Sequence, residues 1–367
     1  MSLKSERSTR RAGIEYLRIL SMLMITVTHV CTQGGILSQL QPFTPNYYLG
    51  WTLMTFCYAA VNCYALISGY LGIESSFRFY RLPSLWLKVV FYTLTATACF
   101  AICCPHTVSL MDWVTALTPA TSGTYWYFSA YFALFFVTPF LNRLLKTLNQ
   151  QTATLLIAVI LILFSLLPTL RHSDPFDVGD GYSFLWLAVL YLIGAYFRQY
   201  RLFEKLRLHQ YLLLALVAFG VTALSKFAIE FVTYKTLNTV AGGGFLLSYI
   251  SPTMIVFSVA LLGFFVRLPD KYQKGNRLLF TVSVSTFGVY LINCQPFLKH
   301  TFMQGQFAKY TSYSSIGMIG AILGTALVIY TVCSLIDIAQ TALFKWIKVD
   351  SFLKKLCEKP QNFYNQL

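Results

Sequence analysis

The chain has 367 residues, of which 56% are hydrophobic and only 11% charged, against about 25% charged in ordinary soluble domains. So few charges cannot solvate a globular surface, which excludes a soluble multidomain protein, a disordered chain, a disulfide scaffold and a coiled coil. The net charge is +15, from 28 Lys and Arg against 13 Asp and Glu. The basic residues come in short bursts between apolar runs, a pattern of membrane topology rather than of a nucleic-acid-binding face.

Runs of about 20 apolar residues can cross a ~30 Å hydrocarbon layer as helix. In chain order they fall at 12–32, 47–73, 84–104, 124–142, 152–170, 183–199, 210–231, 245–266, 278–298 and 314–340. The sequence therefore predicts an all-α, polytopic integral membrane bundle of about ten transmembrane helices. Arg10 and Arg11 precede the first run as in a signal peptide. No small-residue cleavage site follows, so the run reads as a retained span.

With the N-terminus placed in the cytoplasm, 22 of the 28 basic residues fall on inside segments: Lys4, Arg7, Arg10, Arg11, Arg78, Arg81, Lys88, Arg143, Lys146, Arg198, Arg201, Lys205, Arg207, Arg267, Lys271, Lys274, Arg277, Lys345, Lys348, Lys354, Lys355 and Lys359. Only Arg171, Lys226, Lys235, Lys299 and Lys309 fall outside. The positive-inside rule thus predicts two cytoplasmic termini. The chain divides into a basic N-terminus (1–11), a transmembrane domain (12–340) and a basic C-terminal tail (341–367). All loops are short, so the chemistry falls to the helices and their ends. The outer loop 171–182 carries Asp174, Asp177 and Asp180, either as a solvated acidic loop or as a contact for a polar acceptor. The nine cysteines form no CxxC pair, and no metal site is expected.

The first run holds Glu15, Arg18 and His29. A charged group inside a membrane helix costs at least ~2.5–3.5 kcal/mol near the centre, so such groups usually face protein or water. Glu15 and Arg18 can pair at i,i+3 near the cytoplasmic end. Arg18 and His29 are 11 positions apart, about three turns and ~16 Å along one stripe of the helix. A guanidinium suits a phosphate, and a neutral imidazole suits general-base work near pH 7. The two make a track along which an extended thioester carrier could lie.

Arg, ten residues, then His on the first span resembles the signature of the membrane-bound acyltransferase family 3. Further segments agree: VNCYALISGYLG (Val61 to Gly72), with its Ser68–Gly69 pair; RFYRLP, with Arg78, Arg81 and Pro83; TYWYFSAYFALFFVTPFLN, through Trp126, Tyr127, Tyr131 and Pro139; and STFGVYLIN (Ser285 to Asn293). The resemblance covers about residues 12–340. It departs at Asn293, where the family usually has His; Asn can hydrogen-bond but cannot carry a proton at neutral pH.

The resemblance implies transfer of an acyl group, usually acetyl from cytoplasmic acetyl-CoA as co-substrate, to a hydroxyl of a cell-surface glycan, by a multi-pass protein of the inner (cytoplasmic) membrane. Membrane lipid and a glycan acceptor are the implied partners, with no metal and no nucleic acid. Some members carry a fused extracytoplasmic domain; this chain would act alone or with a separate extracytoplasmic or glycan-assembly partner. His29 is the expected catalytic group. Arg18, Arg78 and Arg81 are expected on the donor phosphates. Glu15, Tyr16, Trp126, Tyr127, Tyr290 and Asn293 are candidates to line the path. Ser68–Gly69 reads as a small-residue helix contact. The competing classes are a transporter or flippase for a polar solute or glycan, and a membrane scaffold.

Overall fold

The computed structural model describes residues 11–273 and 275–366. Lys4, Arg7, Arg10 and Lys274 of the charge pattern lie outside them, as does all but the last residue of the basic N-terminus. Among the described residues there is helix and no strand.

Polar caps set where helices begin. Ser183, Ser251, Asn276 and Ser314 each accept a backbone N–H from the first turn that follows, satisfying a donor that would otherwise be orphaned in an apolar setting. The helices are α1 (Ala12–Thr32), α2 (Pro45–Cys57), α3 (Ala60–Gly72), α4 (Arg81–Cys103), α5 (Leu110–Leu117), α6 (Trp126–Thr147), α7 (Gln150–Leu161), α8 (Phe184–Gln199), α9 (Leu208–Leu237), α10 (Pro252–Val266), α11 (Arg277–Asn293), α12 (Pro296–Phe302), α13 (Ser315–Trp346), α14 (Val349–Leu356) and α15 (Glu358–Gln366), joined by shorter turns. Helix α7 continues through a π segment, Ile162–Leu166, into Leu167–Arg171. Pro168 explains the loosened ladder, because it lacks an N–H and crowds the carbonyl four residues back.

Among the described residues, seven helical stretches are long and apolar enough to cross a membrane, or eight if the pair α11 and α12, bent by 74° at Cys294–Gln295, is one span; α8 and α10 are shorter apolar helices. The protein is a multi-pass helical membrane protein. The run 47–73 is divided between α2 and α3, and the run 245–266 is helical only from Pro252.

Helix α1 lies at the centre, packed by α2, α3, α10, α11 and α13. Long helices such as α9 and α13 expose Leu224, Leu216, Ile316 and Val328 on their outer faces, as lipid-facing surfaces should. Helices α3 and α8 touch at their backbones. A Cβ at Gly69 would meet the Tyr191 carbonyl, and one at Gly194 the Leu66 carbonyl. Small residues permit this approach, so Gly69 fulfils the helix-contact reading of the Ser68–Gly69 pair.

Replacing Gly194 by Leu should force α3 and α8 apart, an overpacking cost of about 1–3 kcal/mol or more. The thermal unfolding midpoint of the detergent-extracted protein should drop by several degrees. Gly220→Ala on α9, where nothing lies within 4 Å of an added Cβ, should leave it unchanged.

Candidate functional site

Arg18 is placed by its own helix. Its Nη1 lies 3.1 Å from Glu15 Oε2, and Glu15 in turn accepts a hydrogen bond from Ser283 of α11. Glu15 is buried, whereas the Arg18 side chain keeps 25% of its surface open. The pair therefore aims a guanidinium into a cavity instead of trailing it to the membrane surface.

That cavity has a volume of about 750 Å³, within the range of small-molecule sites. Arg18, Arg78 and Arg81 all line it, together with Arg11, Arg143, Lys146 and Arg198. Its two carboxylates are both engaged: Glu15 by Arg18, and Glu74 by Arg198, which also donates to the Tyr70 hydroxyl at 3.0 Å. The residual field is strongly positive, and the guanidinium forks suit a polyphosphate.

Arg78 sits on a loop held from the far end of the chain. The Gln361 side chain of α15 accepts the Phe79 backbone N–H (2.7 Å) and donates to the Phe77 carbonyl (3.2 Å), bracketing Arg78 on both sides.

A second cavity, about 340 Å³, holds His29 with Met22, Ile25, Met54, Cys57, Tyr58, Tyr64, Trp126, Tyr127, Tyr182, Tyr249, Phe287 and Tyr290 among its walls. It is apolar and aromatic where the first is basic. Asn293 is buried and its side-chain amide lies 3.0 Å from His29 Nδ1. Cys294 Sγ lies 3.9 Å from both ring nitrogens.

The two cavities share no wall residue, yet the same three helices build both. On α1, Arg18 faces the basic cavity and Met22 the aromatic one. On α3 the corresponding residues are Ser68 and Tyr64, and on α6 they are Tyr131 and Tyr127. Each pair is one helical turn apart, so the partition is about 5–6 Å thick. The Tyr64 hydroxyl donates to the Arg18 carbonyl at 2.8 Å, and Tyr127 stacks on Tyr131 with centroids 6.1 Å apart. Arginines and imidazole thus stand at opposite ends of a track interrupted by a tyrosine-rich waist.

Of the residues chosen from sequence, Arg18, Glu15, Arg78 and Arg81 gather in the basic cavity. His29, Trp126, Tyr127 and Tyr290 gather in the aromatic one, with Asn293 against the imidazole. Tyr16 joins neither; it is 39% exposed, because two positions before Arg18 is the other side of a helix. Asp174 accepts the Val178 and Gly179 backbone N–H groups and so folds its own loop. Sequence reasoning treated Arg143, Lys146 and Arg198 only as topology markers and missed Glu74 and Gln361. The available signal was that Arg143, Lys146 and Arg198 lie at the ends of spans leading to the cavity's side.

A family model described as an acyltransferase domain matches residues 11–337. Neither the curated proteins nor the solved structures contain a match.

Gln361→Ala should free the 77–79 loop. One lost hydrogen-bond anchor, ~0.5–1.5 kcal/mol, should speed amide exchange at Phe79 by about 2- to 10-fold, measured by hydrogen–deuterium exchange, while α4 beyond it keeps its protection.

Proposed function

The chain belongs to acyltransferase family 3, and from that membership we propose that it moves an acetyl group from cytoplasmic acetyl-CoA to a hydroxyl of a cell-surface glycan. The observation that carries this reading is the stacking of a polycationic cavity and a histidine-bearing aromatic cavity on the same three helices. We read the long helices, the bent pair and the two shorter helices as ten spans in the cytoplasmic membrane, with both termini inside. The gathering of Arg11, Arg78, Arg81, Arg143, Lys146 and Arg198 around one cavity supports that orientation.

In this reading Arg18, Arg78 and Arg81 hold the donor phosphates, helped by Arg143, Lys146 and Arg198. The pantetheine arm passes the waist at Tyr64, Tyr127 and Tyr131 and brings the thioester to His29. The aromatic rings of Trp126, Tyr182 and Tyr249, whose centroids follow one another at 4.8 and 5.0 Å, offer flat apolar faces to a sugar. His29 takes the proton of the acceptor hydroxyl as its oxygen attacks the thioester carbonyl. The carbon–sulfur bond then breaks, the proton passes to the leaving thiolate, and free thiol and ester result. A variant has His29 itself carry the acyl group between the two steps. A separate extracytoplasmic or glycan-assembly partner fits either route.

His29→Ala should lower acetylation by about 100- to 10,000-fold, measured as acetyl-CoA-dependent glycan acetylation by membranes containing equal amounts of inserted protein. Undiminished acetylation would remove the imidazole from the chemistry. Arg18→Ala should weaken acetyl-CoA binding by about 10- to 100-fold, the value of a charged hydrogen bond, with the fold retained; unchanged affinity would make Arg18 an anchor only.

The 74° break between α11 and α12, next to His29, favours a second reading, because transporters place interrupted spans at their substrate sites. Solute uptake by proteoliposomes without consumption of acetyl-CoA would select it.

A further inference from the structure

We infer that Asn293 is a positioning residue that fixes the protonation pattern of His29, holding the imidazole proton on Nδ1 through its amide oxygen and leaving Nε2 as the free base. The inference rests on the acyl-transfer reading for its purpose but not for its geometry.

A neutral imidazole carries one proton and one lone pair, and whichever nitrogen is anchored decides what the other can do. Among the described residues, the polar contacts of this ring are Asn293 and Cys294. Cys294 cannot choose between the nitrogens. Its sulfur is 3.9 Å from each, and a point equidistant from both lies off both in-plane directions in which they donate or accept. Asn293, at 3.0 Å from Nδ1 alone, can choose.

The structure sets the amide nitrogen against the ring, and there Nδ1 would have to accept. The ring proton would then sit on Nε2, and no lone pair would remain for base or nucleophile. In that orientation the Asn293 oxygen is also buried without a hydrogen-bond partner, a costly state for a carbonyl. An amide has the same outline with oxygen and nitrogen exchanged, so turning it costs the packing nothing. It then sets the oxygen against Nδ1–H, partners that oxygen, and frees Nε2. The turned amide nitrogen takes up the former oxygen position. A residue that cannot carry a proton at neutral pH thus suits this place: it can hold the ring without competing for the proton that the ring must move.

The backbone supports the role. Asn293 is the last residue of α11, and Pro296, which has no N–H to continue the ladder, opens α12 after the bend. Beyond α12, Gly305 and Phe307 donate to the carbonyls of Gln33 and Gly34 at 2.9 and 3.0 Å. These bonds tie the segment after the bend to the residues that follow His29. Both partners of the 3.0 Å contact are therefore held.

The test has two arms. In the first, protein with ¹⁵N-labelled histidine is examined by solid-state NMR in lipid bilayers. The chain has five histidines, so a His29→Gln sample assigns the signal. The expected result is a protonated Nδ1 and an unprotonated Nε2. Asn293→Leu, which has the same shape and no acceptor, should lose that pattern, and Asn293→Asp, which keeps an oxygen against the ring, should retain a protonated Nδ1. A proton on Nε2 in the parent protein, or a pattern indifferent to Asn293→Leu, would overturn the inference without any assay of activity.

The second arm measures turnover of acetyl-CoA by the same membranes. In Asn293→Leu, kcat should fall about 10- to 100-fold, the usual loss on removing a group that orients a reactive side chain. The KM for acetyl-CoA should stay unchanged, and Asn293→Asp should restore most of the rate. A merely structural Asn293 would instead lower the amount of folded protein, or would be rescued equally by neither variant. If the parent protein turned over no acetyl-CoA while the NMR pattern held, the enzymatic reading would fail and the tautomer assignment would stand.

Discussion

The structure is organised by the cost of placing charge among apolar helices. Each buried ionic group needs a partner, and the partners divide the charges into two kinds. Lys88 of α4 meets Asp337 of α13 at 2.7 Å, and the Tyr92 hydroxyl donates to the same carboxylate at 2.7 Å. Lys226 and Glu230 of α9 pair with each other, Tyr47 donates to Glu230, and Lys226 stands over the Trp51 ring. Those groups line neither of the two cavities; they are closed, mutually satisfied joints between helices. The Glu15–Arg18 pair differs, because its partner bonds leave part of the guanidinium facing a large cavity. Openness toward space sets this charge apart from the joints.

The same reasoning separates the two cavities. One cavity is walled by cations and the other by aromatic rings. One helix builds both by presenting different residues a turn apart, and its neighbours α3 and α6 follow the same change of character at the same level. The waist between the cavities is thus a consequence of helical repeat as much as of the three tyrosines. It keeps the imidazole apart from the arginines.

The spacing of Arg18 and His29 was legible because both lie on one helix, where periodicity translates directly into direction. The helical class was legible from composition, and most of the runs became helices near the expected limits. What was not legible depends on contacts between distant segments. Gln361 reaches the 77–79 loop across 282 positions, Glu74 meets Arg198 across 124, and nothing local marks either as a partner. Arg143 and Lys146 carried the right charge but matched a topology pattern equally well. Tyr16 was drawn in by proximity along the chain, although two residues along a helix is close to the opposite face. Apolar length alone leaves the number of spans open for a physical reason: α8 and α10 are short, and the run at 278–298 breaks at Cys294–Gln295.

The break itself ties fold to chemistry. A straight helix through 278–298 would carry Cys294 and Gln295 onward in register and bury their backbone groups in the ladder. Instead the Gln295 side chain caps α12 by accepting the Leu298 N–H at 2.9 Å, and α11 ends with Asn293 held against the imidazole. A helix terminus inside a protein is expensive unless its groups are satisfied, and here the capping residue serves α12 while the Cys294 and Gln295 N–H groups donate to the Tyr290 and Ile292 carbonyls that end α11. The bend is therefore an ordered joint, and it holds the Asn293 side chain against the His29 ring.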